Sequence, residues 1–130
     1  MLFKGDPVLD ERYRALFERL ASNYIKADAD MSSYTSFRTG GRAAALIEAR
    51  SSADVCDAIR AADENGIEYH VIGRGTNLLV SDNGVDALVI CISDKMGAVE
   101  KNGLNYTVEA GASYAAFAKR TVDEGCTGLE

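Results

Sequence analysis

The sequence predicts an α+β fold, a small parallel βα unit followed by the beginning of an antiparallel β unit that is truncated. Three observations predict it. Apolar runs at residues 44–49 and 67–73 flank a segment of helical periodicity, and a strand, helix, strand order of this length implies a right-handed parallel crossover. From Gly97 the pattern changes to alternation, with Val99-Glu100-Lys101 and the run from Leu104 to Val108 placed about Asn102-Gly103, a strong short hairpin signal. Ser113 then caps a helix with Tyr114, Phe117, Ala118 and Thr121 on one face, ending at Gly125. One hairpin with one helix is a marginal sheet, so the second unit reads as cut in the middle.

The elements follow in order. Between Asp10 and about Lys26, the residues Leu9, Tyr13, Leu16, Phe17, Leu20 and Tyr24 recur at helical spacing, with Asp10 as N-cap and a mixed-sign polar face. Residues 27–31, with Asp28 and Asp30, read as a polar linker. A strand follows at 44–49. Ser51-Ser52-Ala53-Asp54 opens a helix in capping style, with Val55, Ile59 and Ala62 on one face and Asn65-Gly66 as its stop. Strands are expected at 67–73, 78–80 and 87–92. The resulting division is 1–30 amino-terminal helix and linker, 31–95 first βα subdomain, 96–130 partial antiparallel subdomain.

Two segments carry candidate binding chemistry. In Gly73-Arg74-Gly75-Thr76-Asn77-Leu78 an apolar strand runs into a turn whose glycines let a ligand oxygen approach the main chain. Successive N–H groups in such a turn form an anion-binding concavity, with phosphate as the expected guest. Leu78 stands where a dinucleotide fingerprint needs its third glycine, which argues against a Rossmann site. A plain tight turn using its glycines for positive φ fits the same spacing. The second segment, Ser33-Tyr34-Thr35-Ser36-Phe37-Arg38-Thr39-Gly40-Gly41-Arg42, is polar; its Gly40-Gly41 pair permits an unusual backbone path beside the positive charge of Arg38 and Arg42, and it fits either a ligand loop or an ordinary one.

Composition sets limits. The chain has 130 residues, 47% of them hydrophobic, enough for one domain's core. A formal charge of -6 with no clustered basic face speaks against nucleic acid. No apolar run suits a bilayer and residues 1–6 lack a signal-peptide core, so a cytoplasmic protein is expected, with no membrane partner. Cys56, Cys91 and Cys126 are odd in number and fit reduced thiols; Cys56 and Cys91 are expected in the core. With one His in the chain, neither a His-based triad nor a metal site is expected.

Taken together, Thr35-Ser36-Phe37-Arg38-Thr39-Gly40-Gly41, Gly73-Arg74-Gly75-Thr76-Asn77-Leu78-Leu79, Ala110-Gly111-Ala112 and Gly128-Leu129-Glu130 resemble the UDP-N-acetylenolpyruvoylglucosamine reductase family. The likeness covers nearly the whole chain after residue 30. It implies the FAD-binding fold shared with p-cresol methylhydroxylase and vanillyl-alcohol oxidase. It also implies an NADPH-dependent reduction of the enolpyruvyl ether of a UDP-sugar in peptidoglycan synthesis. Carried over residue by residue, the family's pyrophosphate loop falls on Gly73, Arg74, Gly75, Thr76 and Asn77, with Leu78 following. Thr76 stands where the family usually has Ser and keeps a hydroxyl. Ala110 and Gly111 match small residues beside the flavin, and Arg38, Thr39, Gly40 and Gly41 match a segment near the cofactor. The family's catalytic arginine, serine and glutamate have no counterpart in these residues, so no catalytic residue is assigned. The resemblance therefore implies a cofactor-domain fragment without turnover of its own, with weak FAD retention.

Two other readings remain open. One is a different FAD-linked oxidoreductase of the same fold, with His70 the nearest candidate for a covalent flavin link. The other is a non-enzymatic nucleotide-binding or interaction module. A truncated sheet edge also invites self-association.

Overall fold

The computed structural model describes residues 10–21 and 24–129; Leu9, residues 1–6 and Glu130, all used above, lie outside the described residues. Helix α1 spans Glu11–Arg19, and the Asp10 carboxylate accepts from the Arg12 amide at 3.0 Å, as an N-cap should. The helix is shorter than expected. Leu20 is its C-cap, and Tyr24 adopts a φ of 58°, a left-handed value through which no helix runs.

The stretch read as a polar linker is instead a strand. β1, Ile25–Asp30, pairs antiparallel with β2, Arg42–Ala49, in the register Ala27↔Ala45 and Ala29↔Ala43. Lys26, Asp28 and Asp30 alternate with Ile25, Ala27 and Ala29 in the sequence, but Asp28 has a φ of 49° and the strand changes face there, so that Ile25 packs beside Ile47 while Ala29 joins Met31 and Val80 on the other side of the sheet. As an edge strand, β1 needs one partner only.

Helix α2, Ser52–Glu64, is capped by the Ser51 hydroxyl, which accepts from the Asp54 amide at 3.2 Å, and stops at Asn65 with Gly66 at φ 62°. β3, Tyr69–Ile72, and β4, Val85–Ile92, complete a four-stranded sheet of order β1-β2-β4-β3, in which β4 runs parallel to both neighbours. β4 thus separates the two strands of the expected crossover. Because β3 and β4 are parallel and adjacent, residues 73–84 must carry the chain back along the sheet. Residues 78–80 therefore form no strand; Leu78 and Val80 lie against Ala29, Met31, Leu46 and Val89 on one sheet face.

The opposite face carries the larger core. Leu16 and Leu20 of the amino-terminal segment and Ala58, Ala61 and Ala62 of α2 pack on Ala45, Ile47, Leu88 and Ile90. Each fully buried Leu or Ile contributes about 2 kcal/mol, and the alanines let α2 lie close to the strands. Tyr13 is buried among them and its hydroxyl donates to Asp86 at 2.9 Å. Cys56, expected in this core, is exposed, because it sits two residues and so roughly 200° around α2 from Ala58.

The return segment is locked to the loop over residues 31–41. The Ser36 amide donates to the Gly75 carbonyl at 3.0 Å, Gly41 to Ser81 at 2.8 Å, and Met31 to Gly41 at 3.1 Å. Gly75 is buried with φ 64°, and a Cβ there would collide with the Tyr34 carbonyl oxygen.

The second unit is the hairpin of β5, Val99–Asn102, and β6, Asn105–Val108, with helix α3, Tyr114–Asp123. Asn102 pairs with Asn105, so the turn residues are Gly103 and Leu104, one position on from the expected pair. Gly103 at φ 63° precedes an ordinary Leu104, the glycine-first form of the two-residue turn. Little apolar surface is buried here. Glu124 instead ties hairpin to helix, accepting from Lys101 at 2.6 Å, Tyr106 at 2.5 Å and Arg120 at 2.8 Å. Gly111 joins the units, its amide donating to Met96 at 2.8 Å.

Gly75→Ala is expected to destabilise the chain by about 3 kcal/mol in chemical denaturation, from left-handed strain plus overpacking. Gly73→Ala, whose Cβ would meet nothing within 4 Å, is expected to change stability by less than about 1 kcal/mol. A second prediction concerns acid. Arg120, then Lys101 and Tyr106, hold the Glu124 carboxyl down to about 2. A depressed carboxyl stabilises fully above its unfolded value and loses that contribution as pH falls toward the folded one. Amide exchange in α3 should therefore accelerate between about pH 4.5 and 2 in the wild type, relative to Glu124→Gln.

Candidate functional site

The carboxyl ends of β2, β3 and β4 meet at one edge of the sheet, where α/β folds place their ligands. There an open groove of about 1070 Å³ lies between the strand ends and the loop after β1. Its floor is built by Glu48, Gly73, Arg74 and the run from Cys91 to Asp94; its other wall is Ser32, Ser33, Tyr34, Thr35, Ser36 and Arg38. Register explains the floor, since Glu48 pairs with Cys91 and Ile72 with Cys91, so the three strands end at one level.

The wall is held by a triad. Lys26 Nζ donates to Glu48 Oε1 at 2.7 Å and to Tyr34 Oη at 2.8 Å, while the Tyr34 hydroxyl donates to Glu48 Oε1 at 2.8 Å. Lys26, and then Tyr34, hold the Glu48 carboxyl below its usual range, and Glu48 holds the Lys26 ammonium above its own. Burial is the main cause that pushes the Tyr34 phenol up. Thr35 is buried and its hydroxyl donates to the Thr39 carbonyl at 3.2 Å, closing the loop that carries Arg38 at φ 53°.

Of the residues expected to bind, Gly73, Arg74 and Arg38 line this groove together. Gly73 faces open space, and among the described residues none of the backbone amides from Gly73 to Asn77 donates to a protein acceptor. Thr76 and Asn77 are exposed beyond the groove lining, and Leu78 packs against the sheet. Gly40 and Gly41 answer to the protein's own packing: a Cβ at Gly40 would lie 2.7 Å from Val80 Cβ, and one at Gly41 2.5 Å from the Asp82 carbonyl oxygen. Gly111 is buried, with a Cβ there meeting the Ser93 and Met96 carbonyls, while Ala110 is exposed. His70 lies on exposed β3, 3.4 Å from Glu68, outside the groove lining.

Sequence reasoning placed Ser33 to Ser36 in a candidate loop without naming them as binding residues, and missed Ser32, Glu48 and residues 91–94. Two signals were available: a lone charge inside the apolar run 43–49, and the strand-end rule applied to β4 as well as β3. Chemically, free amides, two arginines and four serine hydroxyls from Ser32, Ser33, Ser36 and Ser93 suit an anion with additional polar groups. Among the described residues no group of three His, Cys, Asp or Glu side chains is placed to hold a metal ion, and no helix is long and apolar enough to cross a membrane.

Comparison with known proteins bears on this groove. Residues 43–130 match the model of the FAD binding domain family. The chain is 37% identical over 105 residues to the UDP-N-acetylenolpyruvoylglucosamine reductase of Rubrobacter xylanophilus, a match that covers 81% of this chain and 35% of the relative. The chain thus spans between about a quarter and two-fifths of the length of the curated relatives it matches. Among solved structures, the 4-ethylphenol oxidase of Gulosibacter chungangensis superposes with a TM-score of 0.64 at 23% identity, over 93% of this chain and 26% of that one. p-Cresol methylhydroxylase superposes with a TM-score of 0.57 at 13% identity, over 88% and 24%. With the family match over more than half its length and the strand-end groove in place, the chain belongs to the FAD-binding-domain family and has the p-cresol methylhydroxylase type of fold, whose cofactor is FAD.

Proposed function

We propose that this chain is the cofactor-holding part of an NADPH-dependent flavin reductase acting on UDP-N-acetylglucosamine enolpyruvate, in the cytoplasmic synthesis of peptidoglycan precursors. The observation that carries the reading is the groove itself, where the unengaged amides of Gly73 and Arg74, at the start of the glycine turn, stand beside the Arg74 and Arg38 side chains. Relatives named as UDP-N-acetylenolpyruvoylglucosamine reductases support the choice of reaction. The amides from Gly73 to Asn77 would hold the diphosphate bridge, with Arg74 and Arg38 supplying charge and Leu78 fixing the turn to the sheet. Arg38 is carried by Thr39, Gly40 and Gly41, whose close packing sets the loop's path. Ala110 and Gly111, at the join of the two units, would border the flavin end. When bound, FAD supplies hydride acceptance and donation; the residues here bind and orient it. They carry no chemistry of their own, so the 130-residue chain does not turn over NADPH.

The groove is open along one side, so FAD is held loosely by this chain. The protein is expected to purify with less than one equivalent of flavin and to bind added FAD and ADP in a calorimetric titration, while riboflavin, which lacks the diphosphate, binds at least tenfold more weakly. Gly73→Val is expected to weaken FAD binding while leaving the unfolding midpoint near that of the wild type, because its side chain enters open space. Arg74→Ala should weaken FAD and ADP alike, by roughly three- to tenfold, in line with a contact of about 0.7–1.4 kcal/mol. Equal affinity for riboflavin and FAD would remove the diphosphate from the reading, and a stoichiometrically yellow preparation would remove the loosely held cofactor.

A further inference from the structure

Cys91 stands on the floor of the groove in β4, opposite Glu48 on β2 and Ile72 on β3. Its Sγ lies 3.6 Å from the carbonyl oxygen of Gly73, within the range of a thiol donor. Burial, and after it the neighbouring Glu48 charge, push the thiol's pKa up, so it keeps its proton at neutral pH and can donate. The peptide that joins Gly73 to Arg74 is planar and trans, so its C=O and N–H point in opposite directions. Fixing the carbonyl toward Cys91 therefore fixes the Arg74 N–H away from it. That amide has no protein acceptor among the described residues.

Without a side chain, Gly73 leaves this peptide little else to define its plane: a Cβ at that position would have no neighbour within 4 Å. The next firm anchor along the turn is the Gly75 carbonyl, held by Ser36 at 3.0 Å. We infer that Cys91 is a positioning residue, whose thiol hydrogen bond to the Gly73 carbonyl sets the Gly73–Arg74 peptide so that the Arg74 amide is presented to an incoming phosphate oxygen. Cys91 acts through the peptide and undergoes no covalent step. The inference rests on the diphosphate reading above for the identity of the ligand, and on geometry alone for the peptide orientation.

The test uses the full chain with Cys91→Ser, which keeps a hydroxyl donor, and Cys91→Ala, which has none. The residual dipolar coupling of the Arg74 N–H bond reports the peptide's orientation without any ligand. It is expected to stay at the wild-type value in Cys91→Ser and to change in Cys91→Ala, while couplings in β2 and α2 remain the same in both. FAD affinity, measured by titration, is expected to fall about three- to tenfold in Cys91→Ala and to remain within about twofold of wild type in Cys91→Ser. An unchanged Arg74 coupling in Cys91→Ala overturns the inference, as does a Cys91→Ser chain that behaves like Cys91→Ala in both measurements. Wild-type-like FAD affinity in Cys91→Ala overturns the claim that the orientation serves binding. If the wild-type chain binds neither FAD nor ADP, the diphosphate reading fails, and the coupling still decides whether Cys91 orients the peptide.

Discussion

The hydrogen bond from Ser36 to Gly75 is the constraint on which the site depends. It joins two segments with no ladder between them, the loop after β1 and the return from β3 to β4. It forms only because residue 75 has no side chain, since a Cβ would strike the Tyr34 carbonyl and the backbone there is left-handed. Once made, it holds Tyr34 so that its main chain abuts the glycine turn while its hydroxyl reaches Glu48 on the sheet. One residue thus spans the groove's wall and its floor, and the groove's width follows from that span.

The two sheet faces divide the work. One face carries α1 and α2 over an apolar core, and its stability comes from burial that no ligand needs to disturb. The other is covered by irregular chain, Met31 and the residues around Val80, and the groove opens at its carboxyl edge. Placing loop rather than helix on that face leaves main-chain amides near the strand ends, which a helix would have consumed in its own hydrogen bonds.

Much of this was legible in the residues. The caps at Asp10, Ser51 and Ser113 and the stop at Gly66 are local chemistry, and each was readable because one side chain or one φ decides it. β1 was missed because alanine contributes too little hydrophobicity to make Ile25-Lys26-Ala27-Asp28-Ala29-Asp30 look half-buried. Residues 78–80 were misread because apolar residues crossing a sheet face resemble apolar residues within a sheet; only the adjacency of β3 and β4, a tertiary fact, separates the two. The groove was half legible for the same reason. Gly73 and Arg74 belong to a recognisable turn, whereas Glu48, Cys91 and Asp94 meet them only through strand register.

Electrostatics then explains how an acidic chain can receive an anion. A net charge of -6 spread over the surface is screened within about 8 Å at physiological ionic strength, so what a ligand meets in the groove is local. Two carboxylates line it, Glu48 and Asp94, and two guanidinium groups, Arg38 and Arg74. Glu48 is matched by the Lys26 ammonium at 2.7 Å and by a phenol hydroxyl on the same oxygen, so its negative charge is largely cancelled where it stands. Counting Lys26 with the side chains around the groove, the local balance is positive. The Lys26, Tyr34 and Glu48 triad therefore has two effects at once: it fixes the wall in place, and it neutralises a carboxylate that would otherwise oppose the two guanidinium groups of the groove.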